Sequence, residues 1–244
     1  MDLVTSERRY FGEFKKGLIA GVSIAIGYVP IALTFGLLAK TTGLSFWMAV
    51  SMSVIVYAGA SQYMSLSLIA FGTGVIEIIL TTFIVNIRHF LMSASLQERV
   101  ADDRIIVKAA YSFGLTDESF SVVATSKEKL STGYVVGVFF IAYASWVIFT
   151  AIGYVFGAAL PETLQEGMTV ALYAMFIGLL VPALKGSVKV FFLAVTAGAF
   201  NTILTMNEIL STGWSIVTAT LLSAFLIELV VYLREKRGKH QNGK

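Results

Sequence analysis

The residues of this chain that could do chemistry stand inside apolar runs. The stretch VIVYAGASQYMSLSLI, Val54 to Ile69, carries Gly59, Ala60, Ser61 and Gln62 at its centre. The stretch YSFGLTDESFSVV carries Gly114, Thr116, Asp117 and Glu118. Between them, GVIEIILTTFIVNIRHFLMSASL holds Glu77, Thr82, Asn86, Arg88, His89 and Ser93. Hydroxyls, carboxamides, a guanidinium, an imidazole and carboxyls can together bind a small charged molecule and move a proton. Zero cysteines exclude thiol catalysis, disulfides and thiolate metal sites. Two histidines, one of them in the polar tail, argue against a multi-histidine metal centre. No cofactor and no metal are expected.

Glycine commonly follows a helix end, and Ser or Thr commonly caps the next helix start. Gly59 and Ser61 are two apart, and so are Gly114 and Thr116. Each pair predicts a helix ending at the glycine and another starting at the hydroxyl. Asp117 and Glu118 then fall in a first turn, where the helix dipole favours acids. A break at membrane depth frees backbone groups and is tolerated only inside protein or beside water. Discontinuous helices of this kind form the substrate sites of many secondary transporters. The plainer alternative is that Gly59 and Ala60 merely let helices pack closely.

The third stretch adds a polar stripe. Thr82, Asn86, His89 and Ser93 follow at spacings of four, three and four, so they share a helix face. Glu77 and Arg88 also share a face, but about 16 Å apart along the axis, too far to pair. Arg88 either snorkels to the membrane surface or lines a pathway; His89 is either a hydrogen-bonded interior residue or a proton carrier. Asp117 and Glu118 are either solvated or, withdrawn from water, able to carry a proton. The candidate substrate-binding residues are therefore Gly59, Ala60, Ser61, Gln62, Asn86 and Thr116. The candidates for proton coupling or a polar pathway are Asp117 first, then Glu118 and His89, with Arg88 and Glu77.

Long apolar elements must position these residues. The chain has 244 residues, 57% hydrophobic and 14% charged, against about 45–50% and about 25% in soluble domains. Gly17 to Ala39 has no charge in 23 residues, and about 20 suffice to span a bilayer. The expected fold is all-α: a polytopic helical membrane protein of 6–8 membrane segments in a lipid bilayer. Strong segments are 17–39, 45–72, 74–96, 134–159, 167–183, 187–205 and 211–233, with a weaker one at 105–125. Residues 1–16 and 234–244 read as basic cytoplasmic ends flanking a single transmembrane domain, 17–233. The first residues lack the pattern of a removable signal peptide.

Basic ends place both termini in the cytoplasm and require an even number of crossings. Eight crossings satisfy this but leave Arg99, Arg104 and Lys108 outside. If 45–72 and 105–125 are discontinuous and re-enter on their own sides, every basic cluster, Lys127 and Lys129 included, is cytoplasmic. Both topologies stand. Gly17 with Gly21 and Gly153 with Gly157 form G-x-x-x-G pairs suited to close helix contact. Pro30 and Pro182 are expected to kink their helices, and Glu228 to pair with a basic residue. Neither a nucleotide-binding glycine motif nor a nucleic-acid motif is present.

The blocks GYVPIALTFGLLA, VIVYAGASQYMSLSLI, NIRHFLMSASL and GLTDESFSV, in that order, resemble the AzlC-type large subunit of the branched-chain amino-acid exporter (permease) family. The likeness runs from about residue 12 to the last helix, with the specific motifs in the first half. It implies a multi-pass transporter of the bacterial cytoplasmic (inner) membrane that exports Leu, Ile, Val and Met, driven by proton antiport. It also implies a small membrane partner of about four spans, AzlD-type. Alternatives are a transporter of another small amphipathic metabolite, a non-transporting membrane scaffold subunit, or an intramembrane enzyme, the last disfavoured by the single intramembrane histidine.

Overall fold

A computed structural model describes residues 2–97, 99–100, 105–125 and 130–241. Helix α1 is Asp2–Thr41, α2 Phe46–Ile55, α3 Gly59–Ala70 and α4 Val75–Leu96. They are followed by α5 Ile105–Ser112, α6 Asp117–Ala124, α7 Thr132–Phe156, α8 Glu162–Gly186, α9 Val188–Met206 and α10 Thr212–Gln241. Among the described residues there is no strand, only an isolated parallel bridge between Val100 and Leu130. Five helices there are long and apolar enough to cross a membrane: Tyr10–Thr41, Val75–Leu96, Thr132–Ala159, Val188–Met206 and Thr212–Arg234.

Both segments expected to be interrupted are so. Their halves, α2 with α3 and α5 with α6, have 10, 12, 8 and 8 residues. The longest half therefore extends about 18 Å, short of the roughly 30 Å hydrocarbon core.

The chain divides into two compact units. The first takes the chain up to Leu66 together with Val85–Ala174. Its framework is α1 against α7. A Cβ on Gly17 would run into the Tyr134 carbonyl, one on Gly137 into that of Phe14, and one on Gly153 into that of Leu33. Only glycine lets two backbones approach this closely, so both G-x-x-x-G pairs serve one interface. The Ser145 hydroxyl adds a bond across it to the Ala25 carbonyl at 2.7 Å. Helix α1 runs unbroken through Pro30, and the Thr34 hydroxyl donates to the Pro30 carbonyl at 2.8 Å.

The second unit takes Ser67–Ile84 with the chain from Met175 onward. Here α9 packs on α10, and Lys189 pairs with Glu228 at 2.6 Å, the basic partner expected for that acid. The Glu77 carboxylate accepts the Trp214 N–H at 2.8 Å and the Ser211 hydroxyl, an acid at the start of α10 where the dipole favours it.

Candidate functional site

The first break differs from expectation in its chemistry. Helix α2 ends at Ile55, before the stop expected at Gly59, and Tyr57 takes the left-handed conformation (φ 42°). Gly59 instead opens α3. Ser61 is no cap: its hydroxyl donates to the Ala58 carbonyl at 3.0 Å. The reason is that another side chain takes the capping role. The Gln62 Oε1 accepts the Ala58 N–H at 3.2 Å and the Trp146 indole N–H at 3.0 Å, while its Nε2 donates to Ser53 Oγ at 3.1 Å. Ser53 in turn meets Thr150 Oγ1 at 2.8 Å. The Tyr143 hydroxyl donates to the Val54 carbonyl at 2.9 Å, in the last turn of α2. Gln62, Ser61, Ser53 and Thr150 are fully buried, so these neutral bonds supply the partners that buried polar groups require.

The second break follows the sequence. Thr116 caps α6 in a reciprocal box with Ser119, the Ser119 N–H reaching Thr116 Oγ1 at 3.2 Å and the Thr116 N–H reaching Ser119 Oγ at 2.8 Å. Gly114 is required by packing, since a Cβ there would lie 2.7 Å from that of Phe139. Asp117 and Glu118 occupy the first turn, as expected, and both are engaged. Asp117 pairs with Arg88 at 3.0 Å. The Tyr28 hydroxyl lies 2.6 Å from Glu118 Oε2 and 2.8 Å from Thr116 Oγ1. With a single proton it donates to the carboxylate, the stronger acceptor, and the Thr116 contact is left to the Thr116 hydroxyl as donor.

Helix α4 joins the two breaks. Asn86 Nδ2 donates to Ser61 Oγ at 3.0 Å, and two residues on, Arg88 reaches Asp117. Further along, Ser93 donates to Ser112 at 3.2 Å, at the end of α5. His89 is half-buried, within the fields of both Arg88 and Glu118. Of the expected stripe, Thr82 turns back on its own helix, bonding the Ile78 and Ile79 carbonyls. Glu77 is engaged at α10 as described. Ala60 is half-buried beside Gly59, whose Cβ would meet the Trp146 ring at 3.0 Å. Beside Gly114 an apolar cavity of about 230 Å³ is lined by Val107, Ala110, Phe113, Val136, Phe139 and Tyr143, among others.

A polar assembly at two breaks of a membrane bundle coincides with the residues matched by a family model. The model for the AzlC protein matches residues 23–160, more than half the chain and both breaks. The chain belongs to the AzlC family. It is 32% identical over 175 residues to a membrane protein of Archaeoglobus fulgidus, covering 71% of this chain and 77% of that one. To the inner membrane protein YgaZ of Escherichia coli it is 32% identical over 195 residues, 76% and 79% of the two chains. To the branched-chain amino acid transport protein AzlC of Bacillus subtilis it is 23% identical over 167 residues, 67% and 65%. No solved structure gives a significant match.

In this AzlC-family membrane protein, sequence reasoning missed Tyr28, Tyr57, Ser53, Trp146 and Thr150. One signal was available for the aromatics: a phenol or indole inside an apolar run needs a partner for its polar atom. Ser53 and Thr150 carried none, being hydroxyls in apolar helices whose meeting depends on how α2 and α7 cross.

Proposed function

We propose that this protein is the large subunit of a secondary transporter that exports Leu, Ile, Val and Met across the inner membrane by proton antiport, together with a small AzlD-type partner. The observation that carries this reading is the joining of both breaks through α4, by Asn86 to Ser61 and Arg88 to Asp117. In such an exporter 45–72 and 105–125 re-enter the membrane, and both termini are cytoplasmic. The similarity to the branched-chain amino acid transport protein of Bacillus subtilis supports the substrate class.

A leucine zwitterion needs donors for its carboxylate, acceptors for its ammonium and an apolar pocket. The first turns of α3 and α6 present N–H groups that helix geometry leaves without partners in the helix. The apolar cavity beside Gly114 suits an aliphatic side chain. Such a pocket distinguishes one methylene by only about 1–3 kcal/mol, so overlapping use of the four amino acids follows.

Antiport requires proton and substrate to exclude one another. An ionised carboxylate attracts the substrate ammonium, and a protonated one does not. Asp117 already faces Arg88, whereas Glu118 faces the neutral Tyr28 hydroxyl, so in this reading Glu118 carries the coupled proton and Asp117 holds the guanidinium in place. Each proton admitted brings about 2.3 kcal/mol per 100 mV, while the zwitterion moves without electrical work. The test is efflux of labelled leucine from proteoliposomes under an imposed pH gradient, with and without the small partner. Gradient-driven efflux is expected with both subunits. Its absence from folded complex would overturn the reading and favour the scaffold role.

A further inference from the structure

Glu118 heads a row of three buried hydroxyls. The Tyr28 hydroxyl stands 2.6 Å from Glu118 Oε2 and 2.8 Å from Thr116 Oγ1, and Thr116 Oγ1 stands 3.1 Å from Ser119 Oγ. Ser119 Oγ lies 3.2 Å from the Thr116 carbonyl and 3.4 Å from that of Gly114. Tyr28, Thr116 and Ser119 are all buried. A hydroxyl has one proton to give and two lone pairs, and its hydrogen rotates to suit the neighbours. The row can therefore run in either direction.

With Glu118 ionised, Tyr28 donates to Oε2, Thr116 donates to Tyr28, and Ser119 donates to Thr116. With a proton on Oε2 the order reverses. Glu118 then donates to Tyr28, Tyr28 to Thr116, Thr116 to Ser119, and Ser119 to the Thr116 carbonyl. In both arrangements the Ser119 and Thr116 N–H groups keep their capping acceptors, at 3.2 and 2.8 Å. Only hydrogens turn, and no oxygen accepts more than two bonds. Because the row ends on a backbone carbonyl, it reorients without conducting: the proton enters and leaves at Glu118 itself.

Tyr28 is placed by elements other than α6. It stands on α1, which glycine contacts hold against α7, and its ring meets that of Trp146 on α7 edge-on at 5.2 Å. The Trp146 indole is itself tied to Gln62 Oε1 at 3.0 Å. The phenol oxygen is thus a fixed point for the Glu118 side chain.

We propose that Tyr28 is the positioning residue of the coupling carboxylate, bonded to Glu118 in both of its charge states and favouring the ionised one. This rests on the reading that Glu118 carries the coupled proton, and names the group that sets where it titrates. A bond to a carboxylate is roughly twice as strong as one between neutral groups, so the hydroxyl favours the ionised form. Other groups face this carboxyl too. Asp117 is beside it with Arg88 as its partner, and His89 and Tyr57 lie within its field. From α7 come Trp146, which does not titrate, and Tyr143 against the Tyr57 ring. Tyr28→Phe alters none of these charges and keeps the ring, so its effect on the titration reads the hydroxyl alone.

The test titrates the full chain in liposomes, following the infrared C=O band of protonated carboxyl that is lost in Glu118→Gln. In Tyr28→Phe its midpoint should rise by about one pH unit, a tenfold gain in proton affinity on loss of about one hydrogen bond to a charged group. The acid band should also move to higher frequency, because the acid loses its bond to the phenol. With the small partner present, the pH at half-maximal leucine efflux should rise with the midpoint. An unmoved midpoint or an unmoved acid band overturns the proposal, and a lower melting temperature alone would mark Tyr28 as packing only. If the midpoint and band move but no leucine is carried, the role of Tyr28 at Glu118 stands and the export reading falls. If gradient-driven efflux is seen but Glu118→Gln removes no titrating band, the proposal falls and the export reading stands.

Discussion

The two helix breaks solve one problem in opposite ways. At α2–α3 Gln62 and Ser61 bond the Ala58 N–H and carbonyl, and neutral groups hold Gln62 in turn: Ser53, backed by Thr150, and the Trp146 indole. At α5–α6 a capping box closes the backbone, and charge is then added on top, Asp117 against Arg88 and Glu118 against Tyr28. A buried, satisfied neutral network fixes a shape, because any rearrangement exposes an unpaired dipole. Carboxylates at a helix start can change charge without loss of the caps. On the proposed reading the first break holds geometry, and the second carries the coupling.

Glu118→Gln tests that division most severely. It should abolish gradient-driven leucine efflux from proteoliposomes while the melting temperature in detergent stays near wild type; an unchanged flux ratio would show that the second break carries no coupling. Gln62→Leu is the mirror experiment. It leaves the Ala58 and Trp146 N–H groups buried and unpaired, and should lower unfolding stability by about 3 kcal/mol. A loss of transport with unchanged stability would refute the structural role.

The glycines sharpen the contrast. Gly114→Ala would press a methyl onto Phe139 at 2.7 Å, near its backbone, and should cost about 2 kcal/mol in stability. Gly59→Ala meets the far edge of the Trp146 ring at 3.0 Å, and should cost less than about 1 kcal/mol. Thermal unfolding of the two variants side by side checks the order. The smallest effect is expected at Asp117→Asn. Its pair with Arg88 is partly open, the side chains being 23% and 38% exposed, so the stability change should stay at or below about 1 kcal/mol. A melting shift as large as that of Gln62→Leu would mean that the charged break, too, is chiefly structural.

Much of this arrangement was legible in the residues. Thr116 two places after Gly114, followed by two acids, is a local signal, because a cap and a helix dipole act within one turn. The second break accordingly falls where the pattern put it. The first break did not follow, since Gly59 and Ser61 gave the same local pattern but Gln62 captured the Ala58 N–H with help from Trp146, 84 residues away. A rule built on neighbouring residues does not register such a partner. The α4 stripe was half right for a similar reason: a shared face says which side chains point together, and the packing decides which of them find partners elsewhere.

By itself the sequence determined that the chain is a bundle of membrane helices, because apolar runs of this length have nowhere else to go. It also pointed to a break in each of two runs, at the right residues for Gly114 and Thr116 and at the wrong ones for Gly59 and Ser61. Only the tertiary structure decided that Tyr57 bears the left-handed turn, that Arg88 meets Asp117, and that Tyr28 faces Glu118. Those contacts join residues far apart in the chain, and local sequence rules do not reach that far; of the framework beneath them, the α1–α7 pair is set by glycine faces in backbone contact.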